Sequence, residues 1–419
     1  MRNLAAAVLI FLAPSLSLAA KPPRPPRLGE RRELMKLPSN RIPLLSLANR
    51  FVRISPAGDR CLYLRRVGQS GETMLYLREF GSPVKEHAAL TAVPTAALFW
   101  QWGMSGRCWR ADGLQAAYLL AGTKDGRESE PVRHRLGVAV FDWSLQPAQQ
   151  SGGGLGAGAK RTHTSVTFAP TGKGLYRAES DLKEYASCRV VGPRGVLYES
   201  KDAAIHHLAV SPDGKHIAWV EVPPHRRRRP AAGGAGGREA AARARLLRRA
   251  RGAAPAPDPA TPAIRVVDLA TKKLLRRVEL SRYGSAPPVW SADGKWICHG
   301  QVVQADRLYR WEIRSLNIVD GESRQLARDA LAVGSIGRWL VANRGPGCVP
   351  MTQLSSSYAP PPGTDPRPKQ DEIILIDPAG KAPPVAIVPD AFAQQVVGRQ
   401  IVAAQKSGPD VIVWKAPLE

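Results

Sequence analysis

Long apolar runs with a 3.6-residue period are nearly missing from these 419 residues, which argues against helical bundles and α/β layering and leaves an all-β chain. Cysteine is sparse and scattered. Cys61, Cys108, Cys188, Cys298 and Cys348 include no Cys-x-x-Cys pair, so neither a zinc site nor a disulfide framework is expected, while one disulfide is possible. There is no His-Glu-x-x-His, no Gly-x-x-x-x-Gly-Lys-Ser/Thr, no Gly-x-Gly-x-x-Gly and no acidic calcium loop. The string Gly103-Met104-Ser105-Gly106-Arg107 lacks the second spaced glycine of a nucleophile elbow. Acidic residues are also few beside basic ones, 35 against 60, for a net charge of +25.

What is present is a repeated hairpin. Ala209-Val210-Ser211-Pro212-Asp213-Gly214-Lys215 runs into His216-Ile217-Ala218-Trp219-Val220: an apolar pair, a turn in which proline presets φ and glycine takes a conformation closed to other residues, then a β-prone run. Trp290-Ser291-Ala292-Asp293-Gly294-Lys295-Trp296 and Ile54-Ser55-Pro56-Ala57-Gly58-Asp59-Arg60 repeat it. Weaker copies centre on Ala111-Asp112-Gly113, Pro170-Thr171-Gly172, Gly337-Arg338 and Gly398-Arg399. A second signature, an apolar strand ending in Asp, runs in phase at Asp142, Asp268, Asp320 and Asp377, where the carboxylate can close the next hairpin. Four short strands per unit, repeated at about 40 to 60 residues, is the period of a β-propeller. Seven four-stranded blades are expected, with six as the alternative.

Along the chain, Met1 to Ala20 has a short positive start, an apolar run from Leu4 to Leu12 and small residues before a cleavage point, and reads as a secretory signal peptide. The run is shorter than the roughly 20 residues of a membrane span, and no later segment could cross a bilayer, so a periplasmic or extracellular location is expected. Residues 21–41, carrying Lys21, Arg24, Arg27, Arg31, Arg32, Lys36 and Arg41 among prolines, read as an extended basic arm with a short helix over Glu30–Leu37 as a second option. The propeller is assigned to 42–419, with Ile42–Arg50 as the strand that could close the ring on the last blade. Ser151–Gly158 reads as a flexible surface loop.

A basic low-complexity insert at 223–262 interrupts the fourth blade. Arm and insert together hold about half of the net charge. Arg226, Arg227, Arg228, Arg229, Arg243, Arg245, Arg248 and Arg249 are candidate contacts to an acidic polymer, although the preferred reading is a tolerated Ala/Gly/Arg/Pro insert. Its lack of aromatic residues counts against single-strand recognition. His206, His207 and His299 are candidates for the mouth of a central channel, with His163 comparable. No metal and no cofactor is expected, and the Asp residues are better explained as turn formers than as paired catalytic carboxylates.

The Ser211–Lys215 turn with Ile217-Ala218 after it, and the Val266-Val267-Asp268-Leu269 strand, resemble the WD-like repeat of TolB-like propellers and of the propeller domains of prolyl oligopeptidase-type peptidases. That resemblance implies a fold and no particular activity. The peptidases' hydrolase domain has no counterpart after Val411-Ile412-Val413-Trp414, so no triad residues carry over. The resulting reading is a secreted, non-enzymatic, monomeric propeller that binds a protein partner or envelope component as a scaffold. Its alternatives are a propeller enzyme acting on a polysaccharide or lactone at the channel mouth, and a stand-alone relic of a peptidase propeller.

Overall fold

The computed structural model describes residues 26–42, 51–67, 72–80, 85–88, 107–122, 135–142, 150–153, 161–171, 174–181, 187–201, 203–223, 261–305, 308–350 and 367–419. Their regular structure is β, apart from one short turn of 3₁₀ helix at Ser39–Arg41.

After β1 (Arg32–Pro38), the strands follow in meander order. A first blade contains β2 (Val52–Ile54), β3 (Arg60–Val67), β4 (Glu72–Glu79) and β5 (Lys85–Ala88). A three-stranded sheet follows, of β6 (Gln115–Gly122), β7 (Arg135–Asp142) and β8 (Gln150–Gly153), with Trp109 bridged to Ala116 on its inner edge. Next come β9 (Arg161–Phe168), β10 (Leu175–Asp181), β11 (Cys188–Gly192) and β12 (Gly195–Ser200), then β13 (Ala204–Val210), β14 (His216–Val222), β15 (Ala263–Asp268) and β16 (Leu274–Glu279). The next blade has β17 (Val289–Trp290), β18 (Trp296–Ala305), β19 (Leu308–Asn317) and β20 (Ser323–Arg328), and the one after it β21 (Ala330–Ile336), β22 (Trp339–Arg344), β23 (Glu372–Ile376) and β24 (Val385–Pro389). The last is built from β25 (Ala391–Val397), β26 (Gln400–Ser407), β27 (Asp410–Pro417) and, as its outer strand, β1. The fold is a β-propeller. Six sheets are four-stranded, which is the alternative count, and the seventh sheet, second in chain order, shows three strands.

The ring closes through the N-terminal segment. Met35 pairs with Val413 and Leu37 with Val411, and both β1 side chains are buried in the core shared by the first and last blades. Arg27 and Glu419 then exchange backbone hydrogen bonds at 3.0 and 2.9 Å. The closing strand is therefore Arg32–Pro38, inside the stretch read as a basic arm, and not Ile42–Arg50, of which 43–50 lie outside the described residues. Within Glu30–Leu37 the chain is strand from Arg32 on rather than helix, and alternate residues, Met35 and Leu37, are buried, a period of two. Ser151–Gly153 belongs to β8, and the rest of that predicted loop is not described. All five cysteines are buried.

The turns are built as the sequence suggests. Ser211 Oγ donates to Asp213 Oδ1 at 2.6 Å, the Lys215 N–H donates to the same oxygen at 3.0 Å, and the His216 N–H donates to Ser211 Oγ at 2.9 Å. Ser291, Asp293, Lys295 and Trp296 repeat this bonding. Asp268 and Asp377 cap their turns by accepting backbone N–H bonds. In the fifth blade Asn317, not Asp320, occupies that place: β19 ends at Asn317, whose Oδ1 accepts from the Val319 N–H at 2.9 Å.

Candidate functional site

The first strands of the blades lie nearest the axis and are tied to one another. The Gln395 side chain receives the Ile54 N–H at 2.6 Å and donates to the Ile54 carbonyl at 3.1 Å, joining β25 to β2. The Leu208 N–H donates to Ser165 Oγ at 3.0 Å, and Thr164 Oγ1 donates to the Ile205 carbonyl, joining β13 to β9. Arg53, buried on β2, donates to the Gln394 carbonyl at 2.9 Å.

These strands carry bulges at matching places. The register slips between His206 and Ala209 on β13, between Ala332 and Gly334 on β21 and between Ala393 and Gln395 on β25. A bulge turns a side chain away from the alternation of its strand. His207 sits in the β13 bulge with φ 59°, in the left-handed region. Its ring lies 6.1 Å from that of His206. His207 is 7% exposed. His206 is half-buried; its Nδ1 is sealed from solvent with no hydrogen-bond partner among the described residues, and burial lowers its pKa from 6.5 to about 4. Both histidines thus stand on an innermost strand, near its start, the end at which β14 runs into β15.

The other histidines are elsewhere. His299 lies on β18, a second strand, so it is not at the channel mouth. It is 1% exposed, and neither ring nitrogen has a hydrogen-bond partner among the described residues. Burial first and the Arg314 charge second lower its pKa to about 4. It follows its Ser291–Lys295 turn, whereas His206 and His207 precede theirs. His163, on β9, approaches Glu179 at 3.7 Å.

Four carboxylates toward this end are held by arginines, whereas Asp371, just before β23, accepts the Gly347 N–H at 2.7 Å and has its pKa raised by burial. Burial opposes ionisation of Glu179, but hydrogen bonds from His163, Arg177 and Arg189 outweigh it and leave its pKa far below the usual carboxylate range. Glu221 receives Arg265 and the Tyr198 hydroxyl. Asp329 accepts Arg310 Nε at 2.9 Å and pairs with Nη2, and Glu312 pairs with Arg314 at 3.1 Å. Among the described residues no group of three or more His, Cys, Asp or Glu side chains is placed to hold a metal ion.

Strands β14 and β15 pair to their ends, Glu221 opposite Ala263, so the basic insert is rooted at that pairing. Arg226, Arg227, Arg228, Arg229, Arg243, Arg245, Arg248 and Arg249 lie outside the described residues. The inner-strand network of Arg53, Gln394 and Gln395 was missed by sequence reading. Its one signal is polar residues standing in otherwise apolar β-prone runs.

No protein-family model matches the chain, and no curated protein sequence does. Among solved structures, the β-propeller domain of the Trilobed protease from Pyrococcus furiosus is similar at 13% identity and TM-score 0.44, over 75% of this chain and 81% of that one. The tricorn protease matches at 10% identity and TM-score 0.48, over 92% of this chain and 33% of its own. An oligogalacturonate lyase in complex with manganese matches at 12% identity and TM-score 0.39, over 88% and 76%. At such identities the likeness concerns the fold.

Proposed function

We propose that this propeller is a non-enzymatic binding module that holds a protein partner or envelope component on the face where second strands run into third strands. One observation carries the reading: the two faces of the ring are built differently. On one face the first-to-second-strand turns are short and fixed by serine, aspartate and positive-φ glycines such as Gly58, Gly214 and Gly294. On the other lie the ends of the strands joined by the longest connections, β14 to β15 and β22 to β23. Binding residues collect on connections carried by a rigid scaffold. The commitment of Glu179, Glu221, Glu312 and Asp329 to arginines further supports a surface that recognises rather than reacts.

In this reading the first twenty residues export the chain. Mass spectrometry of protein from the periplasm or medium is expected to find a mature terminus at Lys21; retention of Met1 in the cytoplasm would remove the envelope assignment.

The binding reading is tested by metal analysis of the purified protein and by affinity for heparin and for DNA over a salt series, with the intact chain and one lacking 224–260. Metal below stoichiometry is expected. Stoichiometric metal, lost on His206→Ala or His207→Ala, would replace the module with an enzyme. Salt-sensitive polyanion binding that disappears with the deletion would make an acidic polymer the partner, a second reading favoured by the insert's arginines.

A further inference from the structure

Among the described residues the large apolar side chains left exposed are Val196, Leu274 and Val319, at 41%, 47% and 72%. Single exposed apolar residues are ordinary on any protein surface. These three are not scattered. Each sits at the hairpin between the third and fourth strands of its blade, and the three blades are consecutive: Val196 on β12, Leu274 on β16, and Val319 between β19 and β20. All three hairpins open on the face of the short fixed turns, opposite the connections discussed above.

Cross-blade bonds fix them as one row. Lys272 Nζ, two residues before Leu274, donates to the Val196 carbonyl at 3.2 Å. Arg276, two residues after Leu274, donates through Nη2 to the Val319 carbonyl. Arg194, Lys272 and Lys273 are exposed beside the first two apolar side chains. The carboxylates in these hairpins are engaged locally. Asp268 accepts the Thr271 N–H and hydroxyl, Asp320 accepts the Glu322 N–H, and Glu322 holds Arg324.

We propose that this rim rests on an anionic lipid surface. Apolar tips spaced along a convex edge suit the boundary between headgroups and acyl chains, and lysines and arginines at such an edge pair with acidic headgroups while their stems lie along apolar surface. A protein interface of comparable strength would centre on a pocket with Trp or Tyr anchors, and none of the three exposed side chains is aromatic. The proposal concerns the face opposite the proposed partner site and does not depend on that reading.

The test is co-sedimentation of the full mature chain with vesicles of phosphatidylglycerol and phosphatidylcholine, and with phosphatidylcholine alone, at low and raised salt. Binding is expected to the anionic vesicles only and to weaken with salt. A Val196→Ser, Leu274→Ser, Val319→Ser variant and a Lys272→Glu, Lys273→Glu variant are each expected to bind at least tenfold more weakly. Circular dichroism and melting of each variant report that the fold is retained. Both keep the basic insert, so unchanged binding by them would assign the attraction to the insert and overturn the proposal. Absence of vesicle binding overturns it outright. So does binding to polyglutamate that the same substitutions abolish while vesicles are ignored, which would make the partner an acidic polypeptide.

Discussion

Trp290 Nε1 donates a hydrogen bond of 3.0 Å to the carbonyl of Ala209, across the boundary between the fourth and fifth blades. Trp109 does the same between the first two sheets, donating to the carbonyl of Arg53 at 3.1 Å. In both cases the indole fills the seam between neighbouring inner strands and satisfies a carbonyl there. Trp290→Phe keeps most of the packing and removes the donor. It is expected to cost about 1–2 kcal/mol, the usual penalty for a buried acceptor left unpaired, measured as a lower urea midpoint. An unchanged midpoint would mean that the seam is held by packing alone.

Closure of the ring rests on β1. Met35 is 2% exposed and belongs to the core shared by the first and last blades. Met35→Ala should lower stability by about 2–5 kcal/mol, the range for truncating a buried methionine. Lys36, its exposed neighbour, pairs with Asp410 at 2.9 Å, and Lys36→Ala should leave the midpoint unchanged, since solvent screens such a pair. Equal effects from the two substitutions would contradict closure by burial.

Two turn glycines separate strain from crowding. Gly337 has φ 52° and open space where a Cβ would stand, so Gly337→Ala meets only the left-handed backbone penalty of about 1–2 kcal/mol. Gly345, at φ 141°, would place a Cβ 2.5 Å from the Asp371 Cα, which is backbone and cannot swing aside. Gly345→Ala should therefore be the more damaging, by roughly 3 kcal/mol. Denaturant midpoints of the pair decide it, and the reverse order would be inconsistent with this packing.

His299 gives the fold a pH dependence. Its pKa falls from 6.5 to about 4 on folding because its ring is buried. Between those values the unfolded chain binds the proton and the folded chain does not, so stability is complete above about pH 6.5, declines as pH falls toward 4 and then levels off. The shift corresponds to roughly 3 kcal/mol at most. His299→Leu should reduce the slope of that part of the stability profile, the remainder coming from His206, whose pKa burial lowers over the same range. Parallel profiles for the two proteins would show that His299 is not responsible.

Much of the fold was readable in residues whose effect is local. Ser211, Asp213 and Gly214 form their turn by bonds within a few residues, and Ile217 with Trp219 mark a strand buried on both faces; each can be inferred without knowing what lies across the seam. The histidines were less legible. His206 precedes its turn and stands on an inner strand, while His299 follows its turn and stands on a second strand, and neither place in the sequence says how deeply the ring is buried once the blades pack.

The sequence by itself determined that the chain is a repeat of short antiparallel strands, where its hairpins turn, and where its positive charge is concentrated, since all three depend on neighbours along the chain. Only the tertiary structure decided that Arg32–Pro38 closes the ring against β27, that Glu179, Glu221, Glu312 and Asp329 are paired with arginines, and that Val196, Leu274 and Val319 share one rim. Those relationships join residues far apart in sequence, and their energy arises from burial and pairing that exist only after the blades have packed.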